Sequence, residues 1–477
     1  MNRVLILMTF YISLQIAPPA YAQKILSPKQ SIPNFDYAVE QLHINHQGFY
    51  QYQSKELVDQ EIAELRKAIR APMAKLDYYL IIRKLVALMN EGHGSVDLSN
   101  WTKAKVGIPK SFLPLAVQYL NGDLIITQNF GKDIQGLSKG LKLIAVNDRP
   151  VEEIIDAITP FIASDGFNET SKLEWIGNIN FSLLYRLVYG KEKRFTLTVS
   201  SYDNPTPQTI EIPAIRFTRF KSKHAKFERW KNDASKFLFK AMNDSIGYLS
   251  IPGFGMGDID YETFYREQFK KIKALNIKHL IIDIQENSGG EEGNENLLFS
   301  YLSEERIRKY RKVTMLPIPY QQKKDSKSFK LDQWALKGDM AERGDFTLYS
   351  DYYSELGYSK PQADHIYKNK VYVLTSGLTF SGGAEFASML KMTNRATFIG
   401  EETGGAYEGN VSSYNETIHL LGKKISIDIP MVHFQMNVAP NLRGRGVMPD
   451  HQVPQTWTDY LKRRNAKLAF AIDLITN

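Results

Sequence analysis

Two side chains in this sequence could between them make and break an acyl bond. Ser381 stands in Val371-Tyr-Val-Leu-Thr-Ser-Gly-Leu-Thr-Phe-Ser-Gly-Gly-Ala-Glu-Phe386, where an apolar strand gives way to a short turn and then to a helix. A serine at such a point is by default an N-cap. The place also suits a nucleophile, because a helix N-terminus favours a developing anion and Gly382 leaves its amide unobstructed beside the hydroxyl. His93, in Glu91-Gly-His-Gly-Ser95, falls in a turn just beyond a helix. A neutral imidazole there can take a serine proton near physiological pH. Its bland alternative is a structural hydrogen bond within the turn.

Two glycine turns accompany this pair. Leu280-Ile-Ile-Asp-Ile-Gln-Glu-Asn-Ser-Gly-Gly290 reads as a buried strand ending in Asn287, Ser288 and two glycines, with a helix following near Asn294. A Gly-Gly turn exposes amide hydrogens close to a ligand, as an oxyanion hole needs, although a tight strand-to-helix turn is the commoner use of such a sequence. Phe398-Ile-Gly-Glu-Glu-Thr-Gly-Gly405 is a further strand running into a glycine turn, soon after the Ser381 helix.

Together these segments resemble the core of the tail-specific, or C-terminal-processing, serine peptidases. That family reads Asp-x-x-x-Asn-x-Gly-Gly after a strand, then Ser before an Ala/Gly-x-Glu helix, then Gly-Glu-x-Thr-x-Gly. The matching residues are Asp283 with Asn287, Gly289 and Gly290; Ser381 with Glu385; and Gly400, Glu401, Thr403 and Gly405. Arg445-Gly-Val-Met-Pro-Asp450 is similar to the family's late Gly-Val-x-Pro-Asp segment. The resemblance implies that Ser381 is the nucleophile. Amides of Gly289 or Gly290 and of Gly382 would then hold the oxyanion, each worth about 2.7–4 kcal/mol in comparable sites.

The base departs from part of the family. Members with a Ser-Lys dyad carry the lysine immediately after Thr-x-Gly, where this chain has Ala406, and Lys391 lies too far along the helix to reach the hydroxyl. His93 resembles instead the histidine of the tricorn-like and retinoid-binding-protein-like branch. The glutamate of that branch falls just before Gly-Val-x-Pro-Asp, where Arg443, Gly444 and Arg445 stand here. The third member is therefore open, with Glu401 or Glu402 as substitutes. The chemistry implied is acyl transfer on an exported polypeptide, entering extended and captured through its C-terminus by a PDZ-like domain. A degenerate site would leave a catalytically inactive protein that binds peptides or hydrophobic ligands on the same fold.

The elements that must position these residues change character along the chain. Residues 23–106 read as a helical region. Val58, Ile62, Leu65 and Ile69 share one helix face behind an N-cap at Ser54. A second helix over Leu76–Met89 has Ile81, Leu85 and Leu88 as its buried stripe and ends at a left-handed Gly92. Residues 107–214 shift to a period of two, with Asn121-Gly122 as a type I′ hairpin turn and a short helix over Val151–Ile158. Gly140-Leu-Lys-Leu-Ile-Ala-Val-Asn-Asp-Arg-Pro-Val151 resembles the strand–turn–helix of PDZ domains, which bind peptides by strand addition; the alternative is a spacer without a ligand. Residues 215–477 alternate strands and helices. Strands are expected over Gly247–Pro252, His279–Gln285, Val371–Thr375, Ala396–Ile399 and Ile425–Ile429. The whole is a multidomain α/β protein, and the resemblance implies a crotonase/ClpP-like peptidase core.

Composition bounds the rest. Length (477 residues) calls for two or three domains. Arg3, the apolar run Val4–Ile16 and Ala20-Tyr21-Ala22 form a secretory signal pattern over residues 1–22, so the protein is expected in the periplasm or outside, soluble once the signal is removed. With no cysteine, a thiol nucleophile, a disulfide framework and a lipidated anchor are excluded. The formal charge of +8 is spread widely; its densest stretch, Gln321–Lys330, lacks interleaved aromatics and reads as a solvated loop within a surface insertion over 309–367, not a nucleic-acid site. His43 and His46 are three apart without an acidic ligand motif, and His-Glu-x-x-His is missing, so no metal and no cofactor are expected. Thr379-Phe-Ser-Gly-Gly383 is not the Gly-x-Ser-x-Gly elbow of α/β-hydrolases.

Overall fold

The computed structural model describes residues 25–99, 111–177, 180–219, 237–255, 257, 259–314, 357–362, 364–439 and 443–477. The secretory signal, the basic stretch Gln321–Lys330 and most of the expected insertion lie outside the described residues.

A six-stranded sheet carries the catalytic candidates. Its spatial order is Leu238–Ala241, Ile246–Ser250, His279–Asp283, Lys370–Thr375, Thr397–Gly400 and His451–Gln452. The first pair is antiparallel and every later pair is parallel. The central strands are continuous apolar runs, and Leu280, Ile281, Ile282, Val373 and Leu374 are completely buried. Strands buried on both faces read this way because helices cover both sides of a parallel sheet. One of those helices, Tyr261–Ala274, is capped by Asp260, whose carboxylate accepts the Thr263 amide at 3.1 Å. Because the strands are parallel, the chain leaves Asp283, Thr375 and Gly400 at one edge. The three glycine-rich turns collect there, at the end where α/β sheets bind ligands.

The N-terminal helices bear out the expected Ser54 cap, whose hydroxyl accepts the Leu57 amide, and Val58 and Ile69 are buried. The next helix differs in phase. It runs Lys75–Ala87 and buries Tyr78, Ile82, Leu85 and Val86, while Ile81 and Leu88 are half-buried. Both residue sets obey helical spacing, and contact with the first helix and the following strand decides between them. The left-handed residue after this helix is Asn90 (φ 50°), not Gly92. Gly92 is required for closeness instead: a Cβ there would lie 2.7 Å from the Phe380 ring.

Ile425–Ile429 was expected among the core strands and lies elsewhere. It forms an antiparallel three-stranded sheet with Glu416–Leu420 and with Ser95–Leu98, in register Ile427 to Val96. Its alternating Ile425, Ile427 and Ile429 point into the core shared with the N-terminal helices. That pairing brings the His93 turn, one residue short of Ser95–Leu98, to the peptidase core. A further antiparallel sheet, Tyr310–Thr314, Val432–Met436 and Gly409–Ser412, reaches the same region.

Between these lies an antiparallel sheet from Leu115–Leu120 to Gln208–Pro213. Its first hairpin turns at Asn121 (φ 46°) and Gly122 (φ 96°), both left-handed as the type I′ reading requires. The expected helix Val151–Ile158 is present, followed by Glu169–Ile176 and Asn180–Tyr189, which periodicity did not disclose. No helix of the described residues is long and apolar enough to cross a membrane.

Candidate active site

Ser381 precedes the helix Gly382–Met392 with φ 53° and ψ −128°. A left-handed conformation costs a non-glycine residue about 1–3 kcal/mol and persists only where its surroundings impose it. Here they do. The Phe380 amide donates to the Asn287 carbonyl at 3.0 Å, and the Gly405 amide to the Thr379 carbonyl at 3.1 Å. Fully buried Asn287 in turn donates from Nδ2 to the Ile251 carbonyl at 3.0 Å. The serine side chain makes no capping hydrogen bond, so its hydroxyl is not employed as the N-cap that the sequence alone would suggest. The sharp strand-to-helix turn is present although the α/β-hydrolase motif is not.

The Gly-Gly turn packs directly on this serine. A Cβ added to Gly289 (φ 96°) would fall 2.6 Å from Ser381 Cβ and 3.0 Å from its Oγ. The Gly289 amide is already spent, donating to Asn287 Oδ1 at 2.9 Å. That removes Gly289 from the expected oxyanion donors. Gly290 and Gly382 both line a cavity of about 520 Å³ that also contains Ser381 and His93. The Gly382 amide, at the first helical position, has no partner within its own helix.

His93 belongs to a buried acidic turn. Its Nδ1 lies 2.7 Å from Glu91 Oε1, which also accepts the His93 backbone amide at 3.2 Å. Glu91 Oε2 accepts the Val411 amide at 2.6 Å. Behind it, completely buried Asp165 accepts the Gly92 amide at 2.8 Å and the Ala406 amide at 3.0 Å, and its carboxyl hydrogen-bonds that of Glu91. Burial pushes Glu91 up to about 7. Burial, and then the charge of Glu91, hold Asp165 well above the usual carboxylate range. Two carboxyls so placed keep one proton between them, as like charges in contact cannot both ionise. With Nδ1 donating to the carboxylate, the lone pair of the imidazole sits on Nε2. That atom is buried and has no hydrogen-bond partner among the described residues, and burial lowers the histidine below its usual value. The ring lies 4.6 Å from that of Phe380, the residue before the serine.

Glu91, His93 and Asp165 offer donor atoms within 4.8 Å of one another. Their oxygens, however, receive four backbone amides and an imidazole N–H, whose positive ends repel a cation. The arrangement fits a proton-sharing acid pair.

Other expected residues are engaged elsewhere. Glu401 pairs with buried Lys467 at 2.6 Å and does not line the cavity, so it is not the partner of His93. Glu402 receives both Arg445 Nε at 2.8 Å and the Gly446 amide at 2.8 Å, so Arg445 engages this carboxylate away from His93. Lys391 pairs with Asp450 at 2.6 Å. The partner of His93 carries no sequence signal although it stands only two residues away. Residues i and i−2 face each other only in a turn of the right shape, and Asp165 had no sequence signal at all.

A second buried polar cluster closes the cavity. Lys309, 1% exposed in its side chain, bridges Glu295 at 2.6 Å and Glu385. Glu385 also accepts from the Tyr310 hydroxyl at 2.7 Å and Asn410 Nδ2 at 2.9 Å. The glutamate after the serine is thus an anchor for the sheet that carries Tyr310 and Asn410.

Residues 245–453 match the family model described as Peptidase family S41. Among solved structures, mature CPAF is similar with a TM-score of 0.64 at 15% identity, over 94% of this chain and 96% of that one. Mature CPAF complexed with lactacystin gives 0.63 at 14% identity, over 94% of this chain and 97% of that one. At such identities the likeness is one of fold.

Proposed function

We propose that this chain is a serine-type peptidase of the C-terminal-processing kind, with Ser381 as its nucleophile and His93 as its general base; the match of residues 245–453 to a peptidase family supports this reading. One observation carries this reading. A single cavity holds both residues, with Ser381 strained at a helix N-terminus and His93 Nε2 free of any partner. In the reaction, His93 Nε2 takes the hydroxyl proton as Ser381 Oγ attacks a peptide carbonyl. The Gly290 and Gly382 amides receive the oxyanion. His93 then returns the proton to the leaving amine, and water, activated by the same imidazole, releases the acyl group. Glu91 is a positioning residue: it fixes the tautomer and stabilises the imidazolium, with Asp165 holding the shared proton behind it.

The substrate class is an exported polypeptide, in keeping with the signal pattern of residues 1–22. The antiparallel sheet of residues 115–213 and its helix Val151–Ile158 support the PDZ-like reading of a peptide-capturing domain, and the parallel sheet with its glycine turns supports a crotonase/ClpP-like core. The deciding experiment labels the purified protein with a fluorophosphonate probe. Wild type should label, while Ser381→Ala and His93→Ala should not. A well-folded wild type that neither labels nor cleaves peptides would shift the reading to a peptide- or hydrophobic-ligand-binding protein.

A further inference from the structure

The cavity that holds the proposed nucleophile is one-sided in charge. Glu291, Glu292, Glu295 and Glu385 line it, and among the described residues no lysine or arginine does. Two of the four are committed. Glu385 is held by Lys309, Tyr310 and Asn410, and Glu295 by Lys309 and the Gly293 amide. One buried ammonium between two buried carboxylates leaves a negative charge over. Lys309 is therefore held firmly in its charged form, the two carboxylates outweighing the burial that opposes it.

Glu292 adds to that excess. Among the described residues no hydrogen bond or ion pair engages its carboxyl, and it is only partly exposed. Burial, and then the charge of Glu385, push it up to about 7. A carboxyl in this state gains from any cation that reaches it. The cavity that Glu292 lines also holds Ser381.

We infer that Glu292 selects a lysine or arginine side chain in the substrate, at the residue whose carbonyl Ser381 attacks. The inference rests on the reading of Ser381 as nucleophile and names the substrate class of that site. Chain connectivity gives the position. Glu292 follows Gly290 by two residues, and the Gly290 amide is one of the donors on which the reacting carbonyl lies. On this inference the side chain next to that carbonyl enters beside Glu292, in the cavity that Glu292 shares with Ser381. A volume of about 520 Å³ accommodates an extended four-carbon stem together with the backbone that carries it. A charge-assisted hydrogen bond in a partly desolvated pocket then favours the cation over an apolar isostere.

The test is cleavage of a peptide library read by mass spectrometry, followed by kcat/KM for matched fluorogenic peptides that differ only in lysine or norleucine at that position. Lysine should be favoured by ~10–100-fold, the range of a hydrogen bond to a charged group. E292Q should shrink this ratio to a few-fold. E292K should move the preference to glutamate, a gain that a misfolded protein cannot imitate. Equal rates for lysine and norleucine in a wild type that labels with fluorophosphonate overturn this inference alone, as does a ratio unchanged in E292Q. Absence of both labelling and cleavage overturns the nucleophile reading and this inference with it.

Discussion

Glu91 Oε1 lies 2.7 Å from His93 Nδ1, so the carboxylate that orients the imidazole comes from its own turn. The same carboxyl receives the His93 and Val411 amides. A rigid acceptor of this kind makes the free nitrogen Nε2. Glu91→Gln keeps the shape but offers an amide donor to Nδ1, which inverts the tautomer. Activity should fall by ~10²–10⁴-fold in kcat, as for comparable tautomer-inverting substitutions, with Glu91→Asp recovering part of it. Glu401→Gln, by contrast, should lose stability through its buried partner Lys467 and leave the pH–rate profile unmoved. Parallel pH profiles and melting curves of the variants distinguish the two roles.

The acid limb of that profile has a defined sign. Burial lowers the His93 pKa, while the charges of Asp165 and Glu385 oppose it less strongly. The neutral base therefore survives to lower pH than an ordinary imidazole would allow. kcat/KM should fall on acidification with a midpoint below 6.5, the value of an unperturbed histidine. Because the folded value is depressed, the associated stability is present above 6.5 and lost as pH falls through the folded value. A midpoint at or above 6.5 would show that His93 is not the group being titrated.

Gly289 is predicted to tolerate no side chain. Its φ is 96°, and a Cβ would sit 2.6 Å from Ser381 Cβ. Gly289→Ala should abolish fluorophosphonate labelling and destabilise the fold by ~1–3 kcal/mol, from backbone strain and overpacking together. Denaturant melts beside the labelling assay separate the two effects.

Lys309 is the sole cation between buried Glu295 and Glu385 among the described residues. Lys309→Met leaves two carboxylates facing each other without it. Removing one member of such a cluster costs about 3–5 kcal/mol. Urea unfolding should show that loss at pH 8.

Glu292 yields a further pH signature. Its carboxyl is raised from 4.5 to about 7, so the stability tied to it is full below 4.5 and lost as pH rises through 7. E292Q should be more stable than wild type at pH 8–9 by ~1–2 kcal/mol, with the gap closing near pH 4. Tm measured across that range reads it directly.

Much of this site was written in local patterns. The apolar runs at Leu280–Ile282 and Val371–Thr375, each running into small residues, marked two neighbouring strand ends, because burial on both faces demands uninterrupted apolar residues whatever their partners are. Ser381, Gly290 and Gly382 were legible for the same reason: turn chemistry depends on few neighbours. His93 was legible as a turn histidine. Its distance from the serine was not, since no short-range rule joins residues so far apart in the chain. That junction depends on Ser95–Leu98 pairing with Ile425–Ile429, a strand whose alternation fits any half-buried sheet. The phase of the helix Lys75–Ala87 was undecided likewise, because two residue sets satisfied its period. The surroundings of Glu91, Asp165, Glu292 and Glu401 were decided by tertiary structure alone. A carboxylate takes its function from what surrounds it: an imidazole for Glu91, an ammonium for Glu401, an open cavity for Glu292. Those surroundings are assembled from segments that sequence order keeps apart.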